Sequence, residues 1–114
     1  MKIHEEKIGD VLVVRVEESR LDSTIAPEFK TELLRLVEND GEQKILIDLQ
    51  KVDYADSSGL GALLFGHRQA KINSAHVKLL HINLKIQTLI KIAKLQDVLE
   101  CYDNEREAIE SFNE

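Results

Sequence analysis

The side chains with the most chemical potential in this sequence stand together at Asp56, Ser57, Ser58 and Gly59. They lie between a predicted strand and a predicted helix. The first N–H groups of a helix have no intrahelical partner and lie at the positive end of its dipole. A serine hydroxyl here can cap the helix, and a phosphate on it would be stabilised by the same N–H groups. Local chemistry favours Ser57 as the cap, with Asp56 as a second cap or as the group that orients the hydroxyl.

Small residues continue from this point along the predicted helix. Gly59 and Gly61 fall in its first turn, where each costs ~1 kcal/mol of helix propensity relative to alanine. Such a cost indicates a backbone that another group approaches closely. A stripe of small side chains follows at helical spacing, formed by Gly59, Ala62, Gly66 and Ala70. The stripe predicts either a surface for a partner or close packing on the protein's own sheet.

Strands and helices must alternate to position this segment. Apolar and β-branched residues predict strands over residues 2–6, 11–16, 44–49, 77–82 and 98–102. Helical spacing and capping residues predict helices that begin near Pro27, Ser58, Leu84 and Asn104. The second of these runs to residue 72 and the third to residue 95. Because strands separated by helices pair in parallel, the predicted fold class is α/β.

Length and composition limit the function classes. The 114 residues are 43% hydrophobic and 32% charged, as expected for one globular domain over residues 1–114. The net charge of −6 disfavours binding to nucleic acid or to an acidic membrane. No apolar signal segment and no run of the ~20 apolar residues that cross a bilayer are found, so a cytoplasmic protein is expected. The single cysteine, Cys101, excludes an internal disulfide and a zinc cluster.

The charges are unevenly distributed. Residues 58–96 contain no acidic residue and six basic ones, which are Arg68, Lys71, Lys78, Lys85, Lys91 and Lys94. Phe65 is the one aromatic residue among them, so the stacking that single-stranded nucleic acid needs has little support. The segment indicates a solvated face or a surface that speeds encounter with an acidic partner.

Two enzyme-like interpretations are disfavoured. Ala55 to Gly59 fits a small-x-Ser-x-Gly nucleophile elbow. Its triad would need an acid and then a histidine after the serine. No acid lies between Ser58 and Gln96, and no histidine follows Asp97. The histidines also lack ligand-like spacing for a metal, at His4, His67, His76 and His81. We therefore expect no catalytic residues, no metal and no cofactor.

The segment from Ile47 to Gly61 reads I-D-L-x-x-V-x-Y-x-D-S-S-G-L-G and resembles the core motif of the STAS domain. More narrowly, it resembles the bacterial anti-sigma factor antagonists. A second match is the L-D-x-T-x-x-P-x-F run from Leu21 to Phe29. The order of elements fits from about residue 3 to about residue 112. The sequence departs from the family pattern at Ser19, at residues 73–75 and at residues 93–95, where glycines are usual.

The resemblance implies a fold and a function. The fold is a single STAS-like domain, with a small mixed or parallel sheet covered on one side by helices. The unphosphorylated protein binds an anti-sigma factor, which is usually also a serine kinase of the GHKL type, and so releases a sigma factor. Phosphorylation of the serine after the motif aspartate, here Ser57, blocks binding. A PP2C-type phosphatase restores it.

The resemblance also implies a set of residues at the binding site. Ser57 is the phosphorylation site, and the residues that line the partner surface are Asp22, Asp56, Ser58, Gly59, Leu60 and Gly61. The kinase supplies the nucleotide and the catalytic groups, so this chain is expected to be a substrate and binder. The alternative is a STAS scaffold or regulatory subunit in a stress-sensing or transport complex.

Overall fold

A β-hairpin begins the chain, and strands then alternate with helices in the computed structural model, which describes residues 1–113. The elements are, in chain order, β1 (Ile3–Ile8), β2 (Val11–Val16), β3 (Arg20–Leu21), α1 (Ala26–Leu34), β4 (Lys44–Asp48), β5 (Tyr54–Ala55), α2 (Ser57–Ile72), β6 (His76–Leu80), α3 (Leu84–Ile92), β7 (Cys101–Tyr102) and α4 (Glu105–Ser111). A π-helical turn, Arg35–Asn39, continues α1. Every predicted strand and helix is present, although several ends differ by a few residues.

Five strands form one mixed sheet in the order β1-β2-β4-β6-β7. β1 is antiparallel to β2, and the other neighbours are parallel. β3 and β5 form a separate parallel pair. Parallel neighbours need a crossover connection, which α1, α2 and α3 supply. The carboxyl ends of the parallel strands therefore lie at one edge of the molecule, where α2 begins.

The main core lies between the sheet and helices α1, α2 and α3. Its largest fully buried side chains include Phe29, Leu33, Ile45, Ile47 and Leu63. Burial of one such side chain contributes roughly 1.5–3 kcal/mol relative to exposure, so this face supplies most of the apolar stabilisation. Phe29 and Leu33 lie one turn apart on the inward face of α1, and both are fully buried.

The opposite face of the sheet carries a second, smaller core. Val11, Val13, Leu46 and Leu80 project from this face, and α4 covers them with Ala108 and Phe112. The α/β class and the mixed sheet are confirmed. The predicted cover on one side only needs correction, because α4 lies on the other side. Each of the strands β2, β4 and β6 carries apolar residues on both faces, so each face needs a cover.

A charged cluster fastens α4 to this second face. Arg15 Nη1 donates to Asp48 Oδ2 at 2.9 Å and to Glu105 Oε1 at 2.7 Å. Asp48 is 5% exposed, and its Oδ1 lies 3.1 Å from His81 Nδ1. Its Oδ1 also accepts from the Gln50 amide at 3.0 Å. The buried carboxylate thus has three hydrogen-bonding neighbours, which offset the cost of removing it from water. The first turn of α4 is tied through Arg15 to β2 and β4.

Two family departures fall at positions of unusual backbone. Ser74, after α2, has φ of 57°, and Lys94, after α3, has φ of 58°. Both lie in the left-handed region, which glycine occupies without steric cost. The glycines usual at these places are therefore replaced by residues that hold the same turn at some cost. Among the described residues, no helix combines the length and apolar character needed to span a bilayer.

Candidate functional site

The short parallel pair of β3 and β5 brings the two predicted site aspartates to one edge. Leu21 is in register with Ala55, so Asp22 and Asp56 follow directly from neighbouring strand ends. The pair is extended by Ser19, whose carbonyl accepts from the amides of Asp53 (2.8 Å) and Tyr54 (3.2 Å). Two loops that lie far apart in sequence thereby form one surface at the start of α2.

Asp56, rather than Ser57, is the N-cap of α2. Its Oδ1 accepts from the Gly59 amide at 3.0 Å, the pattern of a helix cap. Its Oδ2 accepts from the Ser23 amide at 3.3 Å, and its own amide donates to the Leu21 carbonyl at 3.2 Å. The interpretation of Ser57 as the cap is thus wrong. Asp56 has a structural task that joins α2 to the start of α1.

Ser57 is the first residue of α2 and is exposed. Within residues 1–113 its hydroxyl has no hydrogen-bond partner, and the Asp56 carboxylate does not orient it. The amides of Ser57 and Ser58 also have no acceptor in this part of the chain. A hydroxyl that no fold contact uses is open to chemical modification. The two amides give the helix terminus its positive character.

The small-residue stripe of α2 faces inward. A Cβ on Gly59 would lie 2.1 Å from the Leu21 carbonyl oxygen, and one on Gly66 would lie 2.7 Å from Leu33 Cδ1. Ala62 is fully buried. The stripe therefore serves close packing on the protein's own strands and on α1, and the alternative of a partner surface along it is excluded. Gly61 differs, because a Cβ there would have no atom of residues 1–113 within 4 Å.

A carboxylate with a lowered pKa stands beside this surface. The Thr24 hydroxyl and then the Arg20 guanidinium, 3.2 Å from Asp22 Oδ2, hold the pKa of Asp22 below its ordinary value. Arg20 also lies over the Tyr54 ring, 4.3 Å from its centroid. Asp22 is thus ionised at neutral pH. Its cationic neighbour, Arg20, contacts both the Asp22 carboxylate and the Tyr54 ring.

Comparison with known proteins decides the family. The STAS domain model matches residues 2–108 of the chain. The chain belongs to the STAS domain family. The resemblance seen in the motif from residue 47 to residue 61 is thereby confirmed.

Similar proteins carry one recurring description. An anti-sigma-B factor antagonist of Staphylococcus aureus is 29% identical over 98 residues, which cover 86% of this chain and 82% of the relative. The solved structure of an anti-sigma-factor antagonist STAS domain protein from Planctomyces limnophilus has a TM-score of 0.87 at 20% identity and covers 98% of both chains. SpoIIAA, solved unphosphorylated, has a TM-score of 0.74 at 19% identity and 98% coverage of both chains. Its phosphorylated form has also been solved, and there the TM-score is 0.73 at 18% identity, with 97% of this chain and 99% of that chain covered.

The remaining residues predicted for the partner surface of this STAS domain divide into an exposed pair and a buried pair. Ser58 is partly exposed, and Gly61 lies on the outer side of α2 with free space above it. Leu60 is 5% exposed and packs in the main core, while Gly59 touches the Leu21 carbonyl. The side chain of Leu60 therefore faces away from the surface, and Gly59 shapes that surface through its backbone alone.

The sequence analysis did not identify Asn83, which lies beside the surface at the start of α2. Asn83 caps α3 with its Oδ1, 2.9 Å from the Ile86 amide. Its Nδ2 donates to the carbonyls of Val52 (3.3 Å) and Asp53 (3.1 Å), which places the start of α3 beside β5. An asparagine before an apolar helical pattern signals the cap. No local signal indicates the contact with a loop 30 residues earlier.

No arrangement for nucleophilic catalysis or metal binding emerges in the described residues of the STAS domain. Ser57 has no histidine partner there, and no group of three potential metal ligands occurs between residues 1 and 113. The residue Cys101 is exposed overall, but packing around its sulfur raises the pKa of the thiol to about 11. That thiol is protonated at neutral pH and is a poor nucleophile.

Proposed function

We propose that this chain is an anti-sigma factor antagonist whose binding is controlled by phosphorylation of Ser57. The unphosphorylated form binds an anti-sigma factor and so frees a sigma factor. The observation that carries the proposal is the exposed, unbonded hydroxyl of Ser57 at the start of α2, beside an aspartate that caps the helix. The names of the similar proteins support the same function.

The binding surface we propose is the end of α2 together with the two loops beside it. Ser57, Ser58 and Gly61 contribute its centre, and Asp22 and Asp56 contribute its acidic border. Gly61 lets a partner approach the helix backbone, because no side chain in the described part of the chain stands above it. Asp56 holds the surface in shape through its bonds to Gly59 and Ser23.

A phosphate on Ser57 would change the charge of this surface and leave the fold intact. It adds about −1.5 to −2 charges next to Asp22 and Asp56. The hydroxyl takes part in no bond that holds residues 1–113 together, so its modification breaks none. An unpaired charge buried in an interface costs several kcal/mol, and each ~1.4 kcal/mol weakens binding tenfold. A loss of about 100-fold in affinity follows without any refolding.

In this proposal the catalytic steps belong to other proteins. A serine kinase of the GHKL type, which is also the anti-sigma factor, transfers the phosphoryl group to Ser57. A PP2C-type phosphatase removes it. The chain itself is a cytoplasmic binding protein and needs no cofactor. Its acidic surface and net charge of −6 are consistent with a protein partner in place of nucleic acid.

The test is a capture experiment with defined baits. Wild type, Ser57→Ala and Ser57→Asp are immobilised and exposed to lysate of the native organism, and retained proteins are identified by mass spectrometry. Asn39→Asp is the matched control, because it adds the same charge at an exposed position in the π-helical turn after α1. We expect wild type, Ser57→Ala and the control to retain a GHKL-type kinase that Ser57→Asp loses. Calorimetry with the purified kinase should then show the loss of about 100-fold.

Other outcomes would contradict the proposal. Equal retention by all four baits would mean that Ser57 is no switch. Retention of transport or stress-complex components by all four would favour the scaffold alternative.

A further inference from the structure

The sheet has an open edge at the first half of β6. β6 bonds to β4 through its even-numbered residues, as shown by the 2.8 Å bond from the His76 amide to the Gln43 carbonyl. β7 covers only the second half of β6, where the Leu79 amide donates to the Glu100 carbonyl at 2.8 Å. Within residues 1–113, the amide and carbonyl of Val77 therefore have no partner and point outward from the sheet edge.

A cavity lies on each side of this edge. One, of about 280 Å³, lies on the α2 side and is lined by His67, Lys71 and Val77 among others. The other, of about 310 Å³, lies on the α4 side and is lined by His76 and Lys78 among others. Successive residues of a strand point to opposite faces. A strand added beside Val77 would therefore place its side chains alternately in the two cavities.

Each cavity is lined by a lysine. Lys71 lines the cavity on the α2 side, and Lys78 lines both cavities. Lys78 Nζ is held by Ser111 Oγ at 2.8 Å. These residues come from the acid-free segment 58–96, whose net charge of +6 the function proposed above does not use.

One acidic side chain, Glu100, lines both cavities. Its Oε2 lies 3.3 Å from Lys78 Nζ, and the side chain is 59% exposed. Glu100 thus occupies the position where a partner's carboxylate would meet Lys78. The pair shows that Lys78 can bind a carboxylate at this place.

We propose that the open edge at Val77 binds a short, acidic, extended segment of a partner protein by strand addition. Main-chain bonds to Val77 fix the segment, and its carboxylates face Lys71 on one side and Lys78 on the other. In this mode of binding, main-chain hydrogen bonds provide affinity and side-chain contacts provide specificity. Lys71 lies 14 residues after Ser57 on α2, which is about 21 Å at the rise of a helix. The edge is thus a second surface, independent of the phosphorylation surface.

The test is an NMR titration of the whole ¹⁵N-labelled chain with the capped peptide Val-Glu-Glu-Glu-Val. The control peptide has glutamine at each glutamate. We expect the Val77 amide and its neighbours to shift with the acidic peptide and to stay in place with the control. Binding should weaken as salt rises from about 50 mM to about 300 mM, because the attraction is screened.

Two variants, each with a matched control, sharpen the result. Lys71→Glu should weaken peptide binding about fivefold or more, while Lys91→Glu, the same charge change on α3, should weaken it less than about twofold. Glu100→Gln should strengthen binding by about twofold or more, a gain that unfolding cannot produce. Glu38→Gln, in the π-helical turn, is its control and should leave affinity unchanged.

Several outcomes would overturn this inference while leaving the proposed function intact. One is a peptide that shifts residues elsewhere and leaves Val77 unmoved. Another is an equal effect of Lys71→Glu and Lys91→Glu. A third is a Val77 amide that shifts with protein concentration alone, which would assign the edge to a second copy of the chain. Failure of Ser57→Asp to lose its partner would contradict only the proposed function.

Discussion

The Gly59 backbone packs directly on the Leu21 carbonyl, so closely that a Cβ on Gly59 would lie 2.1 Å from that oxygen. This contact sets the distance between α2 and β3. It also explains why the first turn of α2 accepts the poor helix propensity of glycine. Gly61, two residues later, has no such neighbour and offers a matched comparison.

The first prediction concerns these two glycines. Gly59→Ala should lower the free energy of unfolding by about 1–3 kcal/mol or more, because backbone must move to admit the methyl group. Gly61→Ala should raise it by roughly 0.5–1 kcal/mol, because alanine favours the helix and meets no atom. Urea denaturation followed by circular dichroism measures both. Equal stabilities of the two variants would contradict the packing described here.

Gly61→Ala also probes binding. Under the proposed function, a methyl group at the centre of the surface should weaken the partner complex even though it stabilises the fold. Calorimetry with the purified anti-sigma factor would show this opposite pair of effects. Unchanged affinity would remove Gly61 from the binding surface.

The second prediction concerns the cap of α2. Asp56→Ala should lower the free energy of unfolding by about 1 kcal/mol, because the Gly59 amide loses its acceptor. The loss of the bond to the Ser23 amide adds to this. Ser57→Ala should change stability by less than about 0.5 kcal/mol, because its side chain is exposed and unbonded. Thermal unfolding monitors the two variants side by side. The reverse order would restore Ser57 as the cap.

The contrast between these two residues shows what sequence could predict. The change from strand to helix at residue 56 is encoded in local composition, so α2 was placed to within one residue. Aspartate and serine cap helices about equally well, so composition alone could not choose between them. The choice depends on the Ser23 amide, 33 residues earlier in the chain. Such a contact exists only after the fold has formed.

The pairing of β3 with β5 was unpredictable for a related reason. Each strand has two residues, Arg20–Leu21 and Tyr54–Ala55, which is too short for an alternating pattern. Apolar spacing predicts which face of α4 is buried. It does not predict on which face of the sheet the helix packs, so the position of α4 on the far side could not be predicted. The long helices and the central strands were predicted because their patterns repeat.

The third prediction concerns the turn after α3. Lys94 has φ of 58°, so Lys94→Gly should relieve strain and raise stability by about 0.5–1 kcal/mol. Lys91→Gly removes the same side chain one turn earlier within α3 and should lower stability by about 1 kcal/mol. Chemical denaturation of the two variants would distinguish a backbone effect from an effect of charge. Equal changes in the free energy of unfolding for Lys94→Gly and Lys91→Gly would indicate an effect of the lost charge and would contradict backbone strain at Lys94.

The fourth prediction concerns pH. The Thr24 hydroxyl and Arg20 lower the pKa of Asp22 in the folded chain, so its carboxylate stabilises the fold fully above the unfolded pKa of about 3.9. That contribution disappears as pH falls through the lower, folded pKa. The stability difference between wild type and Asp22→Asn should therefore be constant near neutral pH and shrink below about pH 4. Carbon NMR of the Asp22 carboxyl gives the folded pKa directly, and a value above 3.9 would reverse the expected trend.

Arg15 and Glu105 form an ion pair across 90 residues of sequence. Arg15 belongs to β2 and Glu105 to α4, so the two residues are synthesised at well separated times. Until that helix leaves the ribosome, Val11, Val13, Leu46 and Leu80 have no cover on their side of the sheet. The nascent chain thus carries this exposed apolar face from the synthesis of β6 until that of α4, and exposed apolar surface makes incompletely folded chains prone to aggregate. Closure of that face therefore waits until α4 has been synthesised.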